Sequence, residues 1–494
     1  MMKPVLSCLF LALFLIAGDT FAGEGFPMYP EDPFGTHDDV STTPGRSATQ
    51  AGSDPCIPRG AHGERWTLVD VIDQALCHNP QTRQAWATAK QQASQFGSAE
   101  SAYLPSLTFN MPLSRSQNTA GGGISNGVPV NGGGGVKNTQ YTRVVPQLSV
   151  NYLLFDFGGR AARVETARQA LEAANWQHAA TIQTVLFSAL QAYYQLFASR
   201  ASLEAAEQTV KSMQVAYDSA AYRFQVGSAA LGDKLQAQTT LAQAKVNRRT
   251  AEGNAKAALG AIANAMGLNP HHSLEFEAPN LVAPDPEREK DVESLLDIAR
   301  DARPDLAAAE AQVKSGQANV LAMRSQGMPQ LSLVGNYSYL DSINSTAISS
   351  WAVGVQVSVP LFTGFNNSYQ VRAAEEQVEA QAASRDQLEQ AITQSVWQAY
   401  YTLAATKDNL HNTEELLDSA KEAERVALGR YREGVGNIVE VTNAENNLAN
   451  ARYSYVQAHY NWRIGKAQLA QALGRLDAGD VEAVEGTRQN GVIE

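Results

Sequence analysis

Few residues of this sequence have the types and spacing that catalysis or metal binding requires. The stretch GGGGVKN, which begins at Gly132, lacks the Gly-Lys-Ser/Thr ending of a phosphate-binding loop and lies between strand-like segments. His271 and His272 are adjacent in a proline-rich connector without a second cluster of ligands. No Ser/His/Asp or Cys/His motif has the context of a nucleophilic enzyme. We therefore predict that the protein is not an enzyme and uses no cofactor or metal ion.

The cysteines are the remaining candidates for covalent chemistry. Cys56 and Cys77 lie beyond the first 22 residues. In an oxidising compartment they could pair and tie the N-terminal segment to the first helix. The alternative is that they stay unpaired and act as small hydrophobic residues.

The first 22 residues predict a secretory signal peptide. Lys3 precedes an apolar run from Leu9 to Ala17, and a small-residue cleavage site ends at Ala22. The run is shorter than the ~20 residues of a spanning helix. Cys8 precedes the run, whereas lipidation would require a cysteine after it. Contact with a membrane would therefore involve strands or the protein surface.

The composition excludes one class of partner. The formal net charge is -12, charged residues make up 18% of the chain, and no basic run is present. Because phosphate binding needs clustered Lys and Arg, we expect no nucleic-acid binding.

Past residue 63 the chain consists of two homologous halves. AYYQL at Ala192 recurs as AYYTL at Ala399, at an offset of 207. Upstream the offset is 224, because LPSL at Leu104 recurs as MPQL at Met328. Constant offsets over such lengths indicate an internal repeat. The predicted organisation is a signal peptide (1–22), an irregular arm (23–63), a first repeat (64–270), a connector (271–290), a second repeat (291–475) and a C-terminal tail (476–494).

Each half contains two segments in which apolar and polar residues alternate, as in a strand with one apolar face. In WAVGVQVSVPLFTG, which begins at Trp351, valines alternate with Ala, Gly, Gln and Ser. The polar positions carry almost no charge, which suits a water-filled lumen, and about ten residues cross a bilayer when tilted. A sheet packed on helices in a soluble protein is the alternative. The strands are predicted at about 104–113, 143–155, 329–340 and 350–362.

Four strands cannot close a membrane barrel, since bacterial barrels begin at eight strands. An open sheet edge in lipid leaves backbone groups unsatisfied, at several kcal/mol each. The pattern therefore predicts an oligomer, in which a dimer would supply eight strands and a trimer twelve.

Long helices are predicted on both sides of the strands. No proline interrupts 159–224 or 365–431, and each segment would reach about 100 Å as one helix. Apolar residues recur every seven positions, which favours coiled-coil packing of neighbouring helices. They are Leu196, Leu203, Val210 and Tyr217 in the first half, and Leu403, Leu410 and Leu417 in the second.

These features together resemble the TolC family of outer-membrane efflux proteins over roughly residues 66–476. The resemblance rests on the repeat, the strand starts YLPSL and MPQLSL, the junctions LFDFGG and PLFTG, and the turn YREGVGNIVEVTNAENNL. It implies a mainly α-helical homotrimer in which twelve strands form an outer-membrane β-barrel, continuous with an α-helical tunnel through the periplasm. The implied partners are outer-membrane lipid, a periplasmic adaptor and an inner-membrane pump of the ABC or RND type.

The implied function is export through the outer membrane. The cargo would be proteins, by type I secretion, or small toxic compounds, or both. The alternative is a periplasmic or surface coiled-coil structural protein without channel activity.

The resemblance also implies roles near the periplasmic tip. It places the pore-entrance ring at Glu440 and Asn443, where three copies of Glu440 would concentrate negative potential and favour cations. It places gate contacts at Asp233 and Tyr431, whereas an arginine often found near the turn is replaced by Gly436. Solvated charges near a helix start are the alternative for Asp233 and Glu440.

Gly227 and Gly434 mark the two helix-to-helix turns. A tight turn needs a residue that tolerates positive φ, which glycine does. In the resembling family these turns meet the adaptor, so both glycines mark the predicted docking surface.

Overall fold

The computed structural model describes residues 32–40, 65–120, 124–125, 128–129, 137–269, 274–279, 292–342 and 345–476. These residues form eight α-helices, a set of antiparallel strands, and two short 3-10 helices at Thr36–Asp39 and Ser101–Tyr103. The α-helices are α1 (Leu68–His78), α2 (Pro80–Glu100), α3 (Gly159–Gln225), α4 (Leu231–Ala265), α5 (Val292–Ala302), α6 (Pro304–Ser325), α7 (Asn366–Arg432) and α8 (Ile438–Ala472).

The helices repeat at the offsets seen in the sequence. α3 and α7 each contain 67 residues, and α4 and α8 each contain 35. α1 and α5 each contain 11. The predicted tandem repeat with long helices is therefore confirmed at the level of individual elements.

Two compact units make up the chain, and each contains segments of both repeats. The sheet unit comprises the described residues within 1–40, 90–171 and 314–378, and the helical unit comprises those within 41–89, 172–313 and 379–494. Neither unit corresponds to one repeat. The domain bounds predicted from the internal similarity stay a prediction.

The chain crosses the main sheet of the sheet unit four times, and each crossing is called a pass. The first and second passes are each divided by a proline, Pro112 and Pro146, because proline cannot donate to a strand ladder. The carbonyl of each proline still accepts a hydrogen bond from a neighbouring strand. The N–H of Val145 donates to Pro112, and the N–H of Tyr339 donates to Pro146. The strands are β1 (Ser106–Asn110) and β2 (Leu113–Ala120), the separate hairpin β3 (Ile124–Ser125) and β4 (Val128–Pro129), β5 (Lys137–Val144) and β6 (Gln147–Phe155), β7 (Gln330–Ser342), and β8 (Ser345–Ser358). β1 with β2 is the first pass, β5 with β6 the second, β7 the third and β8 the fourth.

All pairings in this sheet are antiparallel. The first pass (β1, β2) pairs with the second (β5, β6), the second with β7, and β7 with β8. Within the described residues, the first pass and β8 each have a partner strand on one side only. The protomer therefore presents two open sheet edges.

The predicted strand bounds were partly wrong. β7 spans Gln330–Ser342 and β8 spans Ser345–Ser358, whereas 329–340 and 350–362 were predicted, because the ladder continues into polar residues that lack the alternating pattern. β8 ends at Ser358, so Val359 and Leu361 lie beyond it, just before and after Pro360. Proline at this position removes the donor that pairing would need.

The core of the helical unit contains several of the heptad residues. Tyr193 and Leu196 of α3 are almost completely buried together with Leu68 and Val71 of α1. The Tyr193 hydroxyl donates to the carbonyl of Glu277 at 2.7 Å, so this buried ring leaves no polar atom unsatisfied. Leu410 is buried against Trp462, with Leu403 half-buried beside it.

Several sequence predictions lie outside the described residues. These are the signal peptide, Cys56, His271, His272 and the Gly132 stretch as far as 136. Cys77 is disulfide-bonded, but its pairing with Cys56 stays a prediction. No helix in the described ranges is both long and apolar enough to span a membrane.

Candidate functional site

The sheet presents one continuous apolar face. Val355 of β8 lies opposite Leu333 of β7, which lies opposite Tyr152 of β6. Val353, Val355 and Val357 are each more than 60% exposed in the protomer. Two further cross-strand rows contain Leu107, Val150, Gly335 and Val353, and Phe109, Leu148, Tyr337 and Trp351.

Rows made mainly of polar side chains lie between the apolar rows, with Ala352, Val334 and Leu153 among them. Their members are uncharged, and the Ser338 and Ser350 hydroxyls are 2.8 Å apart. Gln147 donates to the Asn336 side chain at 2.9 Å. The rows are Asn110, Gln147, Ser338 and Ser350, and Thr108, Ser149, Asn336 and Ala352. Because side chains alternate between faces, an apolar medium on one side and water on the other match this sheet.

A phenylalanine in the left-handed region follows the last strand of each half. Phe157 has φ 52° and Phe365 has φ 64°, each next to a glycine that also has positive φ. Each ring packs edge-on against another phenylalanine, Phe155 at 4.8 Å and Phe362 at 5.5 Å between ring centroids. An L-residue in this conformation carries backbone strain. As a result of this turn conformation, an exposed pair of phenylalanines lies at each strand-to-helix junction.

The two glycine turns have the same geometry in both halves. Gly227 and Gly434 have φ of 77° and 79°. In each turn the next residue donates to a carbonyl five positions earlier, Ser228 to Arg223 at 2.8 Å and Val435 to Arg430 at 3.0 Å. This bond defines the Schellman motif. The turn geometry expected for both glycines is observed, and their role in docking stays a prediction.

Tyr431 is held by an arginine that the sequence did not indicate. Arg223, in the last turn of α3, places its guanidinium carbon 4.2 Å from the centre of the Tyr431 ring. It also donates to the carbonyls of Tyr431 at 2.8 Å and Arg432 at 3.3 Å. These carbonyls lie at the C-terminal end of α7, where positive charge is favoured. Arg223 therefore joins the ends of α3 and α7.

Asp233 and Tyr431 are not brought together by a hydrogen bond. The Tyr431 hydroxyl is buried and has no partner among the described residues. Asp233 is half-buried in the first turn of α4. A gate contact between these two side chains within one protomer is not formed in this structure.

Glu440 and Asn443 lie in the first turns of α8, and both reach the surface. Glu440 is held in place twice, because its N–H bonds to the side chain of Asn437 at 2.8 Å and its carboxylate lies 3.2 Å from Arg430. Asn443 is exposed and uncharged. The predicted entrance residues thus share one end of α8, and Glu440 has a cation beside it.

Gly436 occupies the position at which the family resemblance implies an arginine. A Cβ there would lie 3.0 Å from the backbone nitrogen of Tyr431 and 3.1 Å from the Cβ of Arg430. A side chain at this position therefore needs the neighbouring backbone to shift by a few tenths of an ångström. The ends of α3 and α7 carry the cations Arg223, Arg430 and Arg432.

A buried carboxyl lies two turns along α8. Glu445 is 4% exposed and hydrogen-bonds to Glu424 of α7. Burial, and then the neighbouring Glu424, raise the pKa of Glu445 to about 7, although Arg452 acts in the opposite direction. The sequence contained a signal for this burial, since Glu445 follows Val441 by four residues and precedes Leu448 by three.

The described residues contain no group of three or more His, Cys, Asp or Glu side chains arranged to hold a metal ion. Two arginines at the glycine turns instead make contacts between helix ends, Arg430 with Glu440 and Arg223 with carbonyls of α7. Such contacts hold the helix ends together while they are formed, and breaking them lets the helices separate.

Comparisons with known proteins support the same architecture. The family model described as "Outer membrane efflux protein" matches residues 71–268 and 295–475. The chain is 28% identical over 439 residues to Protein CyaE of Bordetella pertussis, covering 88% of this chain and 90% of that protein. It is 23% identical over 416 residues to Outer membrane efflux protein BepC of Brucella suis, covering 83% and 86%. The solved structure of the Campylobacter jejuni CmeC outer membrane channel matches with a TM-score of 0.73 at 17% identity, covering 90% of this chain and 98% of that one, which shows a shared fold.

Proposed function

The chain belongs to the outer membrane efflux protein family, and we propose that three copies of it form the exit duct of a tripartite export system. Members of this family are channel proteins of the outer membrane that extend into the periplasm, and this chain is an outer-membrane channel that exports proteins or small compounds. The proposal adds the homotrimer, a periplasmic adaptor and an inner-membrane pump of the ABC or RND type. It includes no chemical step, only passage of the cargo.

The one-sided apolar face of the sheet carries the proposal. Val353, Val355 and Val357 gain contact with lipid tails when that face is turned toward a bilayer, whereas the rows of Ser, Asn and Gln face water. The two edges of the sheet need partner strands in lipid. Three protomers with four passes each supply a closed wall of twelve.

The turns at Gly227 and Gly434 are the proposed adaptor-docking surface. Exposed apolar side chains flank both turns, with Val226 56% and Val435 70% exposed in the protomer. Apolar side chains on a tight turn suit a protein partner that covers them. If this is right, Val435→Asp abolishes co-purification of the adaptor from the native host while the trimer still forms. Undiminished co-purification would contradict the assignment.

The cargo class is tested in a strain that lacks this gene. The secreted proteins and the susceptibility to detergents and dyes are compared with those of the parent and of a strain complemented with the intact gene. Loss of a secreted protein alone would identify type I secretion, and hypersensitivity alone would identify efflux of small compounds. If neither phenotype appears and the chain is absent from the outer-membrane fraction, the export function is wrong and a structural coiled-coil protein is favoured.

A further inference from the structure

The charges at the predicted entrance are more balanced than the ring of three Glu440 carboxylates taken alone would be. From Arg430 to Asn443 the chain has two arginines and two glutamates. Arg430 lies 3.2 Å from the Glu440 carboxylate, while Arg432 and Glu433 are exposed. Asn443, the second predicted entrance residue, contributes no charge. The segment therefore offers no excess of negative charge.

The position of Glu440 beside Arg430 follows from the backbone. Gly434 and Gly436 turn the chain so tightly that the Gly436 N–H donates to the Arg430 carbonyl at 3.0 Å. Asn437 then caps α8 and holds the backbone of Glu440. As a result, the last turn of α7 and the first turn of α8 place opposite charges side by side.

The equivalent residues of the first half are arranged differently. Arg223 and Asp233 stand at the same repeat positions as Arg430 and Glu440, but Arg223 bonds to carbonyls of α7. Only the second half forms the arginine–carboxylate pair within the described residues. The pair is therefore a particular feature of the α7–α8 turn and not a general consequence of the repeat.

We propose that Arg430 is a specificity-determining residue of the channel entrance, because its pairing with Glu440 removes the cation preference that a ring of three carboxylates would create. This inference rests on the proposed channel function and on the predicted place of Glu440 in the entrance. A paired charge leaves mainly a dipolar field, which decays faster with distance than that of a single charge. Anions and acidic segments of a cargo polypeptide then meet no net negative ring.

The test is ion selectivity of the purified full-length trimer in planar lipid bilayers, measured as the reversal potential in a KCl gradient. Arg430→Gln exposes the negative ring and is expected to raise the ratio of K+ to Cl− permeability by about twofold or more. Glu440→Gln leaves three unpaired arginines and is expected to lower the ratio below that of the wild type. The double variant Arg430→Gln/Glu440→Gln should return close to the wild-type ratio.

Arg432→Gln is the matched control, since it removes the same charge two residues away from an exposed position. An equal shift for Arg432→Gln and Arg430→Gln would overturn the inference, because total charge and not pairing would then set selectivity. If Arg430→Gln fails to assemble, Glu440→Gln decides alone. Clear anion selectivity of the Glu440→Gln channel supports the role of the Arg430–Glu440 pair. A wild-type channel that is cation-selective and a Glu440→Gln channel that is unselective would overturn this role.

The two levels of failure can be told apart. A wild-type trimer that never conducts contradicts the channel function itself. A conducting trimer whose wild type is strongly cation-selective contradicts only the role of Arg430.

Discussion

The guanidinium of Arg223 covers the ring of Tyr431 and donates to the same residue's carbonyl, so that one side chain of the first half holds the end of a helix of the second half. Around this contact, the ends of the two helix pairs share a small core of alanines with Ile438 and Val441. Ile438, Val441 and Tyr431 are the large buried side chains of this core, and the clamp adds polar contacts that join α3 to the end of α7. We therefore expect Arg223 to control how easily the two helix pairs separate.

Arg223→Gln should loosen the tip. It removes a cation–π contact and charge-assisted hydrogen bonds to two carbonyls, with an expected cost of about 1 to 3 kcal/mol. In planar bilayers we expect longer or larger open events than for the wild type. Lys211→Gln is the control, because it removes an exposed cation from the same helix.

Tyr431→Phe tests whether the Arg223 clamp or the gate contact implied by the family resemblance keeps the helix pairs together. It removes only the hydroxyl and leaves the ring that Arg223 covers. The Tyr431 hydroxyl has no partner among the described residues, so its removal should leave conductance unchanged. Opening by Tyr431→Phe but not by Arg223→Gln would show that the hydroxyl finds its partner elsewhere in the assembled trimer, and the clamp would be refuted.

The lipid-facing role of β8 is tested by Val355→Arg. An arginine in the apolar row would lie in the hydrocarbon region, at a cost of about 2 to 4 kcal/mol in each subunit near the bilayer midplane. We expect a marked loss of trimer from the outer-membrane fraction. Gln356→Arg, one residue along and on the opposite face, should be tolerated because it points into water. Equal amounts of trimer for the two variants would show that the faces are assigned wrongly.

The sequence predicted the features that depend on local pattern. Alternation in WAVGVQVSVPLFTG identified a strand, and a constant offset paired Gly227 with Gly434 before their shared φ was seen. The strand ends were less well predicted, since a ladder continues wherever a neighbour offers backbone groups. β8 thus begins at Ser345, before the alternating residues.

Contacts between the halves could not be predicted in the same way. Nothing near Arg223 in the sequence indicates that it reaches Tyr431, 208 residues away. Its repeat equivalent, Arg430, has a local partner in Glu440, so similarity between the halves would have suggested Asp233 as the partner of Arg223. Three-dimensional packing of α3 against α7 decides the pairing, and no local pattern contains that information.

Gly474 is predicted to be irreplaceable. It has φ 71°, and a Cβ would lie 2.8 Å from the carbonyl oxygen of Ala302. Gly474→Ala combines left-handed strain with a backbone clash, so we expect a loss of at least about 2 kcal/mol. Gly260→Ala, inside α4 and with open space at its Cβ, should be neutral or stabilise by about 0.5 to 1 kcal/mol. Thermal unfolding of the two trimers by circular dichroism checks the contrast, which an equal effect would contradict.

We expect the carboxyl of Glu445 to make the α7–α8 hairpin sensitive to pH. It shares a hydrogen bond with Glu424, and Arg452 is the cation that acts on it. The pKa of Glu445 is about 7 in the folded chain, against an ordinary value of 4.5. Between these values the folded state binds the proton more tightly than the unfolded state does. The stability that this one group contributes is therefore fully present below about pH 4.5 and is lost as the pH rises through about 7.

Local hydrogen exchange of α8 measures this loss directly. From pH 5.5 to 8.5 the free energy of opening around Glu445 should fall by about 2 kcal/mol once the intrinsic pH dependence of exchange is removed. Glu445→Gln keeps a neutral side chain at every pH, so its opening energy should stay constant over the same range and exceed that of the wild type at pH 8.5. Glu415→Gln, at an exposed position of α7, should retain the wild-type slope. A slope that persists in Glu445→Gln would assign the pH response to another group, whereas its disappearance in that variant alone would identify the Glu424–Glu445 pair as the site where the proton is held.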